Sequence, residues 1–259
     1  MNGRSVLQAA GMIQSGASDP EKIVEETLAA IAAGNEPGLF TVITADRARQ
    51  EARQSAARIR AGRPRGLLDG VPIAWKDLFD LAGTVTTAGS KVLASAPPAR
   101  LDATVVSRMQ AAGMVSVGRV GMTEFAFSGL GLNPHYGTPA KLYDRKTARI
   151  PGGSSSGAAV SVTDGMAAAA LGTDTGGSCR IQAALCGLVG FKPTAKRVPL
   201  DGAVPLSTSL DSIGPIAASV ACCAVLDAVL AGEEPRPLRE FPLTGLRLAV
   251  PQTLVFDGI

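Results

Sequence analysis

Apolar residues repeat at three- and four-residue intervals through much of residues 1–65, which predicts a series of helices. The first helix covers residues 4–16, and residues 19–21 (Asp-Pro-Glu) supply the cap and first turn of a second one. A third, highly charged helix covers residues 45–61, and the short apolar run over residues 39–43 is typical of a strand. We therefore expect residues 1–65 to form an N-terminal helical layer on the outside of the main body.

From residue 66 onward, apolar runs of strand length alternate with helical segments. This alternation, with 46% hydrophobic but only 4% aromatic residues, favours a core of Ala, Val, Leu and Ile in a parallel-rich sheet covered by helices. The expected fold class is α/β, with residues 66–259 forming the core of one continuous domain. Strands are predicted over residues 67–76, 114–118, 166–171, 187–192 and 246–250, and helices over residues 104–112, 156–163 and 217–230.

Charge and cysteine usage weigh against several kinds of protein. The net charge is +3, and the arginine-rich stretch over residues 47–65 lacks interleaved aromatic residues, so a solvated helix face is favoured over a nucleic-acid site. The four cysteines form no C-x-x-C pair, which favours small buried hydrophobes over disulfides or a zinc site. The N-terminus makes a poor signal peptide, and no apolar run reaches the ~18 residues of a membrane helix. We expect a cytoplasmic protein without metal or cofactor.

Two loops rich in glycine and serine flank an alanine-rich apolar segment. The first loop, residues 152–157, reads GGSSSG, and the second, residues 174–178, reads DTGGS. Glycines let a backbone approach a ligand closely, and serine hydroxyls can attack, relay a proton or hydrogen-bond. A flexible turn is the simpler interpretation of either loop alone. Their arrangement around a buried segment suggests that two serines meet at one site.

A serine nucleophile needs a base, and the chain offers few candidates. His135 is the only histidine, but in its Asn-Pro-His-Tyr turn a loop hydrogen bond is a commoner role than general base. Neither Ser154 nor Ser178 stands at the centre of an elbow G-x-S-x-G. Lys76 closes an apolar strand, where it would either reach the surface, pair with a nearby aspartate, or stay buried. A buried lysine serves as a base once its pKa falls from ~10.4 toward 7.

Five stretches of the chain follow one another in an order that is specific to one family. They are residues 70–77 (GVPIAWKD), 151–157 (PGGSSSG), 172–178 (GTDTGGS), 186–187 with 190–194 (CG, GFKPT) and 209–215 (SLDSIGP). Together they resemble the amidase signature family of Ser-cisSer-Lys hydrolases, including the 24 positions from Ser154 to Ser178. The resemblance runs almost from end to end. It implies a mixed, largely parallel central sheet covered by helices on both faces.

The resemblance also implies a role for each matching position. Ser178 corresponds to the nucleophile, Ser154 to a bridging serine whose preceding peptide bond is cis, and Lys76 to the base. An amide carbonyl would be attacked to form an acyl-enzyme, while backbone N–H groups of residues 175–178 face the oxyanion. The resemblance also implies oxyanion or substrate binding by four residues: Thr175, Gly176, Gly177 and Ser128. It implies that Ser155, Asp174 and Arg180 support the loop. Asp174 and Arg180 would do so through a charge-assisted contact.

Two residues beside the nucleophile depart from the family pattern, which places an aliphatic residue, Arg, any residue and Pro after it. Cys179 replaces the aliphatic residue and Gln182 replaces the proline. Both changes are harmless if they only introduce a small hydrophobe and loosen a helix start. Alternatively, they relax the oxyanion loop and lower activity. Cys179 as a second nucleophile is the least favoured interpretation.

The chain is considerably shorter than members of the family. We therefore expect the C-terminal part of the fold to be missing, because the chain is a fragment, a truncated product or a degenerate relative. An apolar face would then be exposed, which favours association and makes a homodimer one candidate arrangement.

Three functions remain open on this basis. The first is an amidase that hydrolyses a C–N bond of a small carboxamide or urea-like substrate, without nucleic-acid or membrane partners. The second is the glutaminase-type subunit of a tRNA-dependent amidotransferase, which needs partner chains. The third is an inactive relative that acts as an interaction module.

Overall fold

A six-stranded sheet is the centre of the fold in the computed structural model, which describes residues 3–236, 238 and 242–250. The strand order is β1-β3-β2-β4-β6-β5. The three central strands β3, β2 and β4 pair in parallel, and the other three pairings are antiparallel. The predicted mixed sheet is confirmed, but it is less parallel than expected, because only two of its five strand pairings are parallel. The strands are β1 Phe40–Ile43, β2 Pro72–Lys76, β3 Val115–Val120, β4 Ala169–Asp174, β5 Val189–Gly190 and β6 Ser212–Ala217.

Helices cover both faces of this sheet, as the sequence predicts. Successive residues of a strand point to opposite faces, and Ile73 and Trp75 of β2 therefore pack in one hydrophobic cluster while Ala74 packs in the other. The first cluster includes residues of α1, α4 and α7, and the second includes residues of α2, α3, α5 and α6. The helices are α1 Val6–Gln14, α2 Pro20–Ala33, α3 Ala45–Arg60, α4 Thr104–Ala111, α5 Ser156–Thr163, α6 Arg180–Cys186 and α7 Val220–Ala231, with 3-10 turns at Glu124–Ala126 and Arg145–Thr147.

Local sequence signals explain where the first helices begin. Ser5 caps α1 by accepting a hydrogen bond from the Gln8 N–H, while the Gln8 side chain accepts one from the Ser5 N–H. Asp19 caps α2 by accepting from the Lys22 N–H, and Pro20 occupies the first helical position. The predicted start of α2 is thereby confirmed. None of the helices in the described ranges has both the length and the apolarity that crossing a bilayer requires.

The N-terminal 65 residues contribute to the sheet as well as to the helical layers. Strand β1 pairs antiparallel with β3 at one edge of the sheet. Helices α2 and α3 pack on one face, whereas α1 packs on the other. The division of the chain at residue 65 stays a prediction.

Three elements differ from the sequence-based expectation. Strand β6 was not predicted because Pro215 lies in it, and proline is uncommon inside a sheet. The helix predicted over residues 217–230 starts later, at Val220, because Ala217 is the last residue of β6. The strand predicted over residues 246–250 is wrong: this stretch is irregular, and Leu248 is 85% exposed. An apolar run forms a strand only beside a neighbouring strand, and this one lies outside the sheet.

Candidate active site

Lys76 lies at the end of β2 and is completely buried. Its Nζ donates hydrogen bonds to Ser154 Oγ (2.7 Å) and to Thr173 Oγ1 (2.8 Å). Thr173 belongs to β4, which pairs in parallel with β2, so the two side chains meet at the same edge of the sheet. Of the alternatives open for this lysine, the structure selects burial; it neither reaches the surface nor forms an ion pair within the described residues.

The surroundings of Lys76 favour its neutral form. Burial lowers the pKa of its amine to about 7, an effect that is partly opposed by attraction to the negative charges of Asp174 and Asp211. Both hydrogen-bond partners of Nζ are neutral hydroxyl groups. A lysine in this state has a lone pair available near neutral pH and can accept a proton.

Ser154 lies in the first glycine–serine loop and is also fully buried. The Gly153–Ser154 peptide bond is cis. The backbone is held on both sides: the Gly153 N–H donates to Gly129 O (2.8 Å) and Ser154 O accepts from the Thr123 N–H (3.0 Å). Glycine is required at 153, because a Cβ there would lie 2.6 Å from the backbone nitrogen of Gly131. This packing leaves the Ser154 hydroxyl in a fixed position beside Lys76.

Ser178 lies in the second loop, two residues before α6 begins, and is 8% exposed whereas Lys76 and Ser154 are not exposed at all. The two loops are joined by Ser155, whose Oγ donates to Ser178 O at 2.6 Å. Because Ser155 follows Ser154, this contact brings the two predicted catalytic serines into one region. Of these three residues, Ser178 alone has surface exposed to solvent.

Asp174 organises the backbone of the second loop. Its carboxylate accepts hydrogen bonds from the backbone N–H groups of Gly177 (2.7 Å) and Cys179 (3.1 Å). Arg180 donates to both carboxylate oxygens, from Nε at 2.9 Å and from Nη2 at 3.0 Å. Burial alone would raise the pKa of Asp174, but these hydrogen bonds and the Arg180 charge lower it overall. The structure thus brings the two predicted supporting residues together in a charge-assisted contact.

The backbone donors of this loop are fewer than the sequence suggests. The Gly177 N–H donates to Asp174 Oδ1 and is therefore not free in this conformation, so its expected oxyanion role stays a prediction. Glycine at 177 suits the loop conformation, because φ is +138° and a Cβ there would lie 2.7 Å from Ile181 Cδ1. The N–H groups of Thr175, Gly176 and Ser178 have no hydrogen-bond partner within the described part of the chain. They remain candidate donors.

The Thr175 side chain ties the loop to the segment before β6. Its hydroxyl donates to Asp211 Oδ1 at 2.5 Å, and Asp211 Oδ2 accepts from the backbone N–H groups of Leu206 and Ser207. Asp211 lies in the SLDSIGP stretch, and its position there predicts no role for its carboxylate. The contact holds Thr175 in place. The negative charge of the Asp211 carboxylate also acts on Lys76, where it works to raise the pKa of the amine.

Ser128 lies in a segment beside the first loop, but its own hydrogen bond is local. Its Oγ accepts from the Leu130 N–H at 3.1 Å. The neighbouring Gly129 O accepts from Gly153, so the segment contacts the loop through its backbone. Large apolar side chains of this segment are exposed, in keeping with the expected apolar face: Phe125, Phe127, Leu130 and Leu132. A substrate contact of Ser128 stays a prediction.

The two unusual residues after Ser178 are both completely buried. The Cys179 thiol donates to Gly214 O at 3.6 Å, and burial raises its pKa to about 12, with the Asp174 charge adding to the effect. A thiol in this state is a poor nucleophile. The Gln182 side chain donates from Nε2 to Ser178 O. Gln182 is therefore in contact with Ser178, the predicted nucleophile, and does not simply loosen the helix start.

The alternative base His135 lies elsewhere. Its Nε2 is 3.1 Å from Glu124 Oε1, its backbone N–H donates to Asn133 Oδ1, and it is hydrogen-bonded to neither predicted serine. Within the described residues, no group of three or more histidine, cysteine, aspartate or glutamate side chains is placed to hold a metal ion.

A family profile described as Amidase matches residues 22–247, which contain all of the predicted site residues. The chain belongs to the amidase signature family. The mixed sheet with helices on both faces agrees with solved structures of this family.

Similar proteins within the amidase signature family include both hydrolases and part of an amidotransferase. The chain is 42% identical over 266 residues to the A subunit of glutamyl-tRNA(Gln) amidotransferase from Anaeromyxobacter sp. (strain K), covering 97% of this chain and 54% of that protein. It is also 42% identical over 226 residues to AtzE, the 1-carboxybiuret hydrolase subunit of Pseudomonas sp. (strain ADP), covering 86% and 49%. Both relatives are named as subunits of larger assemblies.

Among solved structures, the native peptide amidase of Stenotrophomonas maltophilia has a TM-score of 0.79 with 35% sequence identity. The alignment covers 89% of this chain and 48% of that structure. The chain thus spans about half the length of the relatives it matches.

Sequence reasoning missed two polar residues of the site, Thr173 and Asp211. It also missed the contact that the Gln182 side chain makes with Ser178 O. Thr173 precedes Asp174 at the end of a buried strand, and its hydroxyl there is a signal that could have indicated contact with Lys76. Asp211 and Gln182 act through contacts between residues that are 36 and 4 positions apart. Nothing in their spacing distinguishes such contacts from ordinary surface hydrogen bonds.

Proposed function

We propose that this chain carries the catalytic centre of an amidase, which hydrolyses a C–N bond of a small carboxamide or urea-like substrate through an acyl-enzyme. The observation that carries the proposal is the buried Lys76, whose pKa is lowered to about 7 and whose Nζ lies 2.7 Å from Ser154 Oγ. A general base is most effective when its pKa is close to the working pH.

The proton relay runs from Ser178 through Ser154 to Lys76. A neutral amine has two N–H donors and one lone pair, so Nζ can donate to Thr173 while its lone pair accepts the Ser154 proton. Ser154 in turn accepts the proton of Ser178, whose oxygen forms a bond to the substrate carbonyl carbon. The free N–H groups of Thr175, Gly176 and Ser178 stabilise the resulting oxyanion, and each such donor contributes about 3–4 kcal/mol.

Collapse of the tetrahedral intermediate breaks the C–N bond. The relay returns the proton from Lys76 through Ser154 to the leaving nitrogen, and Ser178 is left acylated. Water then attacks the acyl group by the same relay, which releases the acid and restores Ser178. No cofactor takes part in these steps.

A second function is favoured by a specific observation, the 42% identity to one chain of a glutamyl-tRNA(Gln) amidotransferase over 97% of this chain. In that case the same centre would release ammonia from glutamine for a partner chain. Copies of this chain could also associate as a homodimer through the exposed apolar segment at residues 125–132. In either case we place the protein in the cytoplasm.

The test uses the purified full chain and an active-site-directed fluorophosphonate. We expect labelling of Ser178, identified by peptide mass spectrometry, and loss of labelling in Ser178→Ala. A panel of a primary carboxamide, a biuret-type compound and glutamine then separates the substrate classes, and co-purification with partner chains would favour the amidotransferase function. A folded protein that is not labelled at Ser178 would refute a competent centre and favour an inactive interaction module.

A further inference from the structure

The peptide unit that follows Ser178 is held at both ends. Its carbonyl, Ser178 O, accepts one hydrogen bond from Ser155 Oγ at 2.6 Å and a second from Gln182 Nε2. Its N–H, that of Cys179, donates to Asp174 Oδ2 at 3.1 Å. A carbonyl oxygen has two lone pairs, so both acceptor positions are used. This peptide unit is directly attached to the Cα of the nucleophilic residue.

Gln182 is built to make this contact. Its side chain is fully buried in the first turn of α6, and its Oε1 has no hydrogen-bond partner among the described residues. Burying an amide without hydrogen bonds costs free energy, so the bond from Nε2 to Ser178 O is what fixes the orientation of the side chain. The backbone around it is packed closely, since a Cβ on Gly152 would lie 3.0 Å from the Gln182 Cα.

We infer that Gln182 is a positioning residue for the nucleophile: together with Ser155 it clamps the Ser178 carbonyl and so fixes where the Ser178 hydroxyl and N–H point. This inference deepens the proposed function and rests on Ser178 being the nucleophile. Gln182 does not touch the substrate. It acts through the peptide unit it holds, and the two carbonyl bonds also strengthen the donor at the other end of that unit.

The clamp, formed by Ser155 and Gln182 on the Ser178 carbonyl, takes its two donors from different elements. Ser155 extends from the first glycine–serine loop, and Gln182 extends from α6 behind the second loop. Loss of either donor leaves the carbonyl with one bond and lets the peptide unit rotate. Because the two donors share one acceptor, their effects on the nucleophile should be coupled and not simply additive.

A direct test is available because Ser178–Cys179 is the only Ser-Cys pair in the sequence. Protein labelled with ¹³C at serine carbonyls and ¹⁵N at cysteine therefore gives a single carbonyl–amide correlation in the NMR spectrum, that of the clamped peptide unit. Hydrogen bonding moves a carbonyl carbon to higher frequency. We expect Gln182→Met, which keeps the volume and removes the donor, to move the Ser178 carbonyl signal to lower frequency.

The matched control is Gln14→Met, at an exposed position at the end of α1. We expect it to leave the carbonyl signal unchanged. Gln182→Pro provides a second donor-free variant, since proline is tolerated in the first turn of a helix. An unchanged Ser178 carbonyl signal in both Gln182 variants would overturn the clamp.

The kinetic consequence is measured as the rate of fluorophosphonate labelling and, with a substrate, as kcat and KM. Loss of one buried hydrogen bond changes such a rate by about ten-fold, so we expect Gln182→Met to label about ten-fold more slowly and to lower kcat with little change in KM. A normal rate in Gln182→Met would contradict the positioning role. If the wild type is not labelled at all, the proposed function fails, while the carbonyl signal still decides whether the clamp exists.

Discussion

Lys76 and Arg119 are two buried basic residues whose side chains have different kinds of partner. Lys76 faces two neutral hydroxyl groups, and burial lowers its pKa to about 7. Arg119, in the adjacent strand β3, is equally buried but lies 3.3 Å from the carboxylate of Asp77, the residue directly after Lys76. It also donates to Thr86 Oγ1 at 2.9 Å and to the carbonyl of Val85.

This difference between hydroxyl and carboxylate partners explains how one end of a sheet can hold both a candidate base and a structural ion pair. Arginine cannot release its proton in a protein, so a buried arginine needs a counter-charge and carbonyl acceptors. Lysine releases its proton readily once it is buried without a counter-charge. A buried basic residue with hydroxyl partners therefore indicates chemistry, and one with a carboxylate partner indicates structure.

The largest effect is expected from Lys76→Met, which removes the base but keeps the volume. Amide turnover and labelling of Ser178 should fall by about 10³- to 10⁶-fold, because residues of a catalytic relay act as a unit. Circular dichroism should show an unchanged fold. Turnover that survives this substitution would mean that Lys76 is not the base.

The same variant also tests the charge state of Lys76. The amine has a pKa of about 7 in the folded protein against 10.5 as its ordinary value, so between these pH values the unfolded chain binds the extra proton. The free energy of unfolding of the wild type should therefore rise with pH across this window. Urea titrations of Lys76→Met should lack this rise, and parallel pH dependences would contradict a lowered pKa.

The next largest effect is expected from Asp77→Asn, which leaves Arg119 buried without its counter-charge. Breaking one partner of a buried ion pair typically costs about 3–5 kcal/mol, so the urea midpoint should fall markedly. The matched control is Asp201→Asn, because Asp201 is exposed. Labelling of Ser178 by the fraction that remains folded should stay close to normal. If Asp77→Asn kept its stability but was labelled more slowly at Ser178, the structural role of Asp77 would be contradicted and a role in the chemistry would be favoured.

The smallest effect is expected from Thr173→Val, which removes one hydroxyl partner of Lys76. The labelling rate of the wild type should rise with pH around 7 as the neutral amine forms. Since a hydroxyl that accepts from Nζ stabilises the ammonium more than the amine, its loss should move this midpoint to lower pH, by less than about one unit. Thr163→Val, a buried threonine whose hydroxyl donates to Val160 O, is the control and should not move it.

Sequence reasoning predicted the proximity of the candidate catalytic residues better than it predicted the elements around them. Lys76, Ser154 and Ser178 lie in stretches whose order and spacing are specific, and the structure brings Lys76 and Ser154 into hydrogen-bonding contact. Hydrophobic periodicity also predicted most helices. Capping residues such as Asp19 indicated where a helix begins, because a cap acts on its own first turn. These features depend on neighbours in the chain.

What sequence reasoning missed depends on neighbours in space. The oxyanion role expected of the Gly177 N–H could not be judged without knowing that Asp174 occupies it. The effect of Gln182 was open, because the same side chain loosens a helix or holds a carbonyl depending on where its amide points. The strand expected over residues 246–250 required a neighbouring strand that no local pattern reveals.

The burial of Cys179 has a practical consequence for anyone who studies this protein. All four cysteines are free and buried, and burial raises the pKa of Cys179 and Cys223 to about 12 and that of Cys186 to about 11. A thiol-reactive dye therefore finds almost no thiolate at these three positions of the folded molecule and reacts with them only when the chain opens. The rate at which the Cys179 thiol reacts thus measures how often the loop that carries Ser178 opens.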